Sequence, residues 1–255
     1  MQINKVEDAI RNLIGVFFDA GKLSLKLRSQ GLIEHIKKDK TPVTNGDIEV
    51  NNIILSTLKK ITPDIPIVSE ETAENKNLNL ETFWLVDPID GTYDYIHNRD
   101  EFTLNAGLII NKEAVAGIIY APAKDRMFYS YGNKLSYELK NGKEEIINNK
   151  EIDKNYIKAV SYSNNLKAEI IDIHKKLNVK EHIKMKSSLK FCVIATGEYQ
   201  VYVAEPRAHE WDIAAGHAIL KNSSGVITDF DGNDILYGKK GFKNPSLILK
   251  SLETI

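Results

Sequence analysis

Blocks of helical and strand patterning alternate along the 255-residue chain and predict a layered α/β (α+β) fold. Two observations carry that expectation. Near the start, Ile3, Val6, Ile10, Leu13, Phe17 and Ala20 recur at three- and four-residue steps, which is the period of one helix face. Between Phe102 and Tyr131 the period changes, and FTLNAGLII, AVAGIIYAP and RMFYSYG read as strands.

The elements follow in order. The N-terminal stripe predicts one long helix. The segment KKDKTPVTNGD is polar and reads as a loop. Ile48, Ile53, Ile54 and Leu58 place a second helix over Asp47 to Lys60, stopped before Pro63. Ile65 to Ser69 is a short strand, and Phe83 to Val86 another, ending on a DPIDGT turn. Asn111-Lys112 reads as a hairpin turn inside the β-rich region. NGKEEIINNKEID is a polar hairpin region, and YIKAVSYSN a strand. Leu166 to Leu177 is helical, and WDIAAGHAILKNSSG is a helix ending at Gly225. VITDFDGNDILYG reads as a closing hairpin. A boundary near residue 150 divides the chain into an N-terminal α+β part (1–150) and a C-terminal α/β part (151–255) within one catalytic unit. No Pro- or Ser-rich linker marks it.

Composition excludes several function classes. Lys plus Arg is 34 and Asp plus Glu is 35, so the net charge is -1, and no basic surplus exists for a polymeric nucleic acid. The single cysteine, Cys192, excludes an intramolecular disulfide and a Cys-rich zinc site, and reads as a small buried hydrophobe. No apolar run approaches the ~20 residues that span a bilayer, and the N-terminus lacks a signal-peptide pattern. The chain reads as soluble and cytoplasmic, with peripheral association at the inner membrane left open.

The carboxylates carry the functional signal. Asp87 stands at the C-terminal end of the apolar strand FWLV, where ligands of open α/β sheets bind. Pro88 and Gly91 suit a tight turn that swings Asp90 back toward Asp87. Two converging carboxylates repel unless a cation sits between them, and hard oxygen donors suit Mg²⁺. TYDYIHN can open a short helix whose free N–H groups accept phosphate. Glu70 follows the strand IPIV, while Asp47 and Asp212 start helices. Each residue alone also has a plain reading: Asp47 and Asp212 as helix caps, Glu70 as a surface acid, DPIDG as a turn.

Together PVTNGD, SEE, WLVDPIDGT and WDIAAG, in that order, resemble the inositol monophosphatase-like family of Mg²⁺-dependent phosphatases. The resemblance implies an αβαβα five-layer sandwich and two or three Mg²⁺ ions. It implies that Glu70, Asp87 and the Ile89 carbonyl hold one Mg²⁺, and that Asp87, Asp90 and Asp212 hold another. Gly91 and Thr92 would contact phosphate through backbone N–H groups, and Asp47 with Thr92 would deprotonate the attacking water.

SSLKFC (Ser187 to Cys192), WDIAAGHAIL, GIIYAPAKDRMFYS and the segment Glu101-Phe102-Thr103 resemble the CysQ-type 3'(2'),5'-bisphosphate nucleotidase branch. That branch implies hydrolysis of the 3'-phosphate of 3'-phosphoadenosine 5'-phosphate, a role in sulfur metabolism and lithium sensitivity. Ser188 and Lys190 then join the substrate site, with Lys190 neutralising the second phosphate. Its plain reading is an exposed lysine near a strand. VAEPRAHE before Trp211 departs from that branch. Glu205, seven residues before Asp212, stands where the inositol-phosphatase branch places an acid that meets sugar hydroxyls. Arg207 reads as a phosphate clamp or a surface arginine. An inositol or other sugar phosphate is therefore the alternative substrate, and an inactive phosphate- or partner-binding relative the alternative of another class. His209 and His217 are poorly spaced for zinc, Ser187 and Ser188 lack a nucleophile elbow, and DFDGND lacks the glycine and glutamate positions of an EF-hand. Oligomeric state is not legible.

Overall fold

The computed structural model describes residues 3–37, 40–73, 80–147 and 152–252. The predicted long helix is α1 (Ile3–Gln30), and the second helix is α2 (Asn45–Ile61). Val6, Ile10, Leu13, Phe17 and Ala20 are all buried, so the predicted stripe is the packed face, and the Ile3 side chain lies outside the described set. Both helices cover one face of a seven-stranded sheet.

That sheet runs β3 (Ile67–Ser69), β4 (Phe83–Asp90), β5 (Thr103–Ile110), β6 (Glu113–Ala121), β7 (Arg126–Ser130), β8 (Ser136–Lys140) and β9 (Lys143–Ile146), each beside the next. Only β3 and β4 are parallel. Asn111 and Lys112 take positive φ (52° and 65°) in the β5–β6 hairpin, as the turn requires. The KKDKTPVTNGD segment departs from a loop. It contains β2 (Pro42–Thr44), which pairs antiparallel with β1 (Glu34–Ile36), while residues 38 and 39 lie outside the described set. Both strands are three residues long, β1 fully exposed and β2 buried only at Thr44, so no apolar alternation announces them.

A second sheet has the order β11 (Val179–Lys184), β10 (Ile157–Ser161), β12 (Val201–Ala204), β14 (Leu247–Lys250) and β13 (Val226–Thr228). Between the sheets lie α5 (Leu189–Ala195) and α6 (Glu210–Asn222), buried almost throughout. On the outer face of the second sheet sits α4 (Ala168–Lys176). The layers are therefore αβαβα. The closing hairpin needs correction: Thr228 bridges Asp234, but the ladder partner of β13 is β14. β11 was invisible because its side chains face solvent. Residues 148–151, around the expected boundary, lie outside the described residues.

The close seating of α6 on the first sheet positions part of the site. A Cβ on Gly107 would lie 2.7 Å from the Ala214 Cβ, and one on Gly117 would lie 2.6 Å from the Ala215 Cα. Glycine on two neighbouring strands and Ala-Ala on the helix let the backbones meet.

Candidate active site

The DPIDGT segment is built differently from the expected tight turn. β4 continues through it, with Asp87 opposite Asn105 and Asp90 opposite Thr103. Three steps on β4 thus match two on β5, which is one extra residue, a β-bulge. In a regular strand residues three apart face opposite sides, and the bulge restores both aspartates to one side. The reversal comes at Gly91, with φ +92°, where an added Cβ would lie 2.8 Å from the Glu101 carbonyl. α3 (Thr92–Ile96) follows at once.

The other acids arrive from element ends. Asp47 is the third residue of α2, where its Oδ2 accepts the Thr44 backbone N–H (2.7 Å) and hydroxyl (2.6 Å). Asp212 is the third residue of α6 and accepts the His209 N–H at 2.8 Å. Neither acid is the N-cap of its plain reading: Thr44 and His209 hold those positions, and each acid closes a capping box from the third helical residue while also facing the cluster. Glu70 follows β3, and its N–H is held by the Val86 carbonyl at 3.0 Å.

The acids act on one another. Burial drives Asp87 well above the ordinary carboxylate range, and the charges of Glu70, Asp90, Asp212 and Asp47 add to it. Burial likewise raises Asp212 well above that range, with Asp90 and Glu70 adding. Asp90 is pushed up to about 6 by burial, against the pull of Lys190 and of a Ser188 N–H. Burial raises Asp47 too, opposed by its two bonds from Thr44.

A bound cation would relieve such crowding. The buried Asp87 Oδ1 has no hydrogen-bond partner. Carboxylate oxygens with the Ile89 carbonyl are the hard donors that Mg²⁺ takes. Among the described residues no three His, Cys, Asp or Glu side chains already stand in an ion-holding arrangement. Instead Glu70 accepts Lys37 at 2.9 Å, while Lys37 also binds Glu71 at 2.8 Å. Glu71 is raised to about 7 by burial, which outweighs Lys37. Lys37 escaped the sequence reading, because a lysine in a KKDK run carries no signal of its partner.

Thr92 joins the cluster, its hydroxyl 3.3 Å from Asp47 Oδ1 and 3.1 Å from the Ile89 carbonyl. Ser188 bridges to Thr103 and Asn105 on the same face of β5, tying the SSLK segment to the EFT segment. Lys190 contradicts its plain reading. It is buried on a helix, donates to the Ser187 carbonyl, and lies 5.3 Å from the Tyr202 ring. Burial lowers it to about 8, with Asp90 pulling the other way. Glu205 stands apart, ion-paired with Lys167 at 2.9 Å. A cavity of about 510 Å³ lined by His217, Lys221 and Ile235 holds none of these acids.

A model of the inositol monophosphatase family matches residues 6–254. The chain belongs to that family. It is a phosphatase, as the sequence led us to expect. A 3'(2'),5'-bisphosphate nucleotidase CysQ of Buchnera aphidicola is 37% identical over 223 residues, 86% of this chain and 83% of its own length. The protein of the same description from Salmonella typhimurium is 35% identical, covering 82% and 85%. Among solved structures, CysQ of Bacteroides thetaiotaomicron superposes with a TM-score of 0.80 at 27% identity, over 96% of this chain and 97% of that one. An inositol monophosphatase of Thermotoga maritima reaches 0.77 at 24% identity, covering 96% and 92%, a likeness of fold. Among the described residues no helix of this phosphatase is long and apolar enough to cross a membrane.

Proposed function

We propose that this phosphatase removes the 3'-phosphate of 3'-phosphoadenosine 5'-phosphate in a Mg²⁺-dependent hydrolysis, giving AMP and phosphate. The observation that carries the chemistry is Asp87, a buried carboxylate with an unpartnered oxygen among four other acids. The substrate follows from the relatives that bear the nucleotidase name over more than four-fifths of this chain.

Glu70, Asp87, Asp90, Asp212 and the Ile89 carbonyl would hold the metal. When bound, Mg²⁺ supplies charge for the phosphoryl oxygens, a lowered pKa for a bound water, and an in-line template. The chain's own residues do the rest. Thr92 orients the water and passes its proton toward Asp47, whose burial-raised carboxyl is suited to accept it. The N–H groups of Gly91 and Thr92 face the phosphate oxygens. Lys190 acts as counter-charge to Asp90, so the acid cluster is not left wholly uncompensated.

Inositol 1-phosphate is the second reading, favoured by Glu205 alone. An inactive relative is disfavoured because each acid the chemistry needs is present. Phosphate release with Mg²⁺ on the nucleotide bisphosphate, inositol 1-phosphate and fructose 1,6-bisphosphate decides among them. The bisphosphate nucleotide is expected to give the highest kcat/KM. Equal or better turnover of inositol 1-phosphate contradicts the nucleotidase assignment, and inhibition by Li⁺ is expected in either case.

A further inference from the structure

We propose that Tyr162, Lys186 and Arg207 form a specificity subsite for the second phosphate of a doubly phosphorylated substrate, at the rim of the acid cluster. The inference rests on the phosphatase reading above and adds to it the residues that choose the substrate.

The three residues converge from separate loops. Tyr162 follows directly on β10, Lys186 lies between β11 and α5, and Arg207 lies between β12 and α6. The Lys186 N–H is fixed by Glu101 Oε2 at 2.9 Å, which ties this corner to the loop after α3. The Lys186 Nζ and the Arg207 Cζ each lie 3.2 Å from the centre of the Tyr162 ring. Two cations that close to the ring compete with a base for its faces. The corner therefore recognises an anion rather than an aromatic group.

The side chains of Lys186 and Arg207 hydrogen-bond Tyr162. Among the described residues no carboxylate forms an ion pair with either to neutralise their charge, and nearby Glu205 is taken by Lys167. Lys190, by contrast, is buried, committed to the Ser187 carbonyl and opposed to Asp90. The sequence had assigned it the second phosphate, but exposed Arg207 and half-buried Lys186 are better placed to meet a group arriving from solvent. The corner also adjoins the reacting centre through Glu101, whose carboxylate holds the Lys186 N–H and whose carbonyl would lie 2.8 Å from a Cβ on Gly91 at the end of β4. A substrate with its scissile phosphate at the acids thus has a basic corner for its other phosphate. Arginine offers a planar fork for two oxygens, and lysine a point charge beside it.

The test compares 3'-phosphoadenosine 5'-phosphate with 3'-AMP, which differs only by lacking the 5'-phosphate. For Arg207→Ala and for Lys186→Ala, the ratio of kcat/KM between the two compounds should fall about tenfold, a loss typical of one charge-assisted contact. The fall should lie in KM, and Arg207→Lys should recover part of it. Ratios that stay at the unsubstituted value, or losses equal for both compounds, overturn the subsite while leaving the phosphatase reading in place. If the unsubstituted protein hydrolyses neither compound, the nucleotidase reading fails and the subsite falls with it.

Discussion

Asp90 shows how one residue's surroundings fix its role. The bulge turns it to the side of Asp87, and burial holds its carboxyl near 6 although Lys190 and a Ser188 N–H favour the charged form. Replacing it with asparagine keeps the shape, removes a ligand charge and relieves repulsion on Asp87. For Asp90→Asn the account expects kcat to fall by at least about 10²-fold, as when a charge-stabilising group is removed from a preorganised site. The thermal midpoint of the metal-free protein should not drop. Near-normal turnover would remove Asp90 from the chemistry, and a lowered midpoint would mean a structural role. At this scale the acids were legible, because Asp, Pro and Gly in DPIDGT mark a special backbone. Lys37 was not, since its partners Glu70 and Glu71 are fixed by a fold and not by spacing.

At the scale of elements, the sheet and α6 must fit closely for Asp212 to reach the acids on β4. Gly117 sits where any side chain would strike the Ala215 backbone. For Gly117→Ala we expect overpacking of about 1–3 kcal/mol, read as a lower thermal midpoint, together with a fall in kcat as α6 shifts. Gly15, exposed on α1 with nothing within 4 Å of an added Cβ, provides the contrast. Gly15→Ala should stabilise by about 0.5–1 kcal/mol through helix propensity and leave kcat alone. Equal effects from both substitutions would contradict the close seating of α6. The long helices were readable because their buried faces repeat every three or four residues. The exposed strands β1 and β11 carry no such pattern, and β14 is recognised only through its neighbours β12 and β13. The SSLK segment opens a helix at Leu189 that buries Lys190, which apolar periodicity has no means of announcing.

The whole molecule carries a net charge of -1, yet it gathers five acids at one place. Folding raises the pKa of Asp87, Asp90 and Asp212, so the folded state prefers these groups protonated. The sign follows: as pH rises from the ordinary carboxylate range through about 6, these groups lose protons later than in the unfolded chain, and the metal-free protein loses stability. A divalent cation binds the deprotonated cluster and opposes that loss. Scanning calorimetry should therefore find a larger Mg²⁺-induced rise in thermal midpoint at about pH 8 than at about pH 5, on either side of the Asp90 transition. An equal rise at both pH values would place the metal elsewhere.

The central claim is that the acids work by recruiting a metal which in turn receives a phosphate. Phosphate release from 3'-phosphoadenosine 5'-phosphate, measured after chelation and again as Mg²⁺ is restored, tests it most directly. No turnover is expected in chelator, with saturable recovery as Mg²⁺ is restored. Undiminished turnover in chelator would contradict the claim.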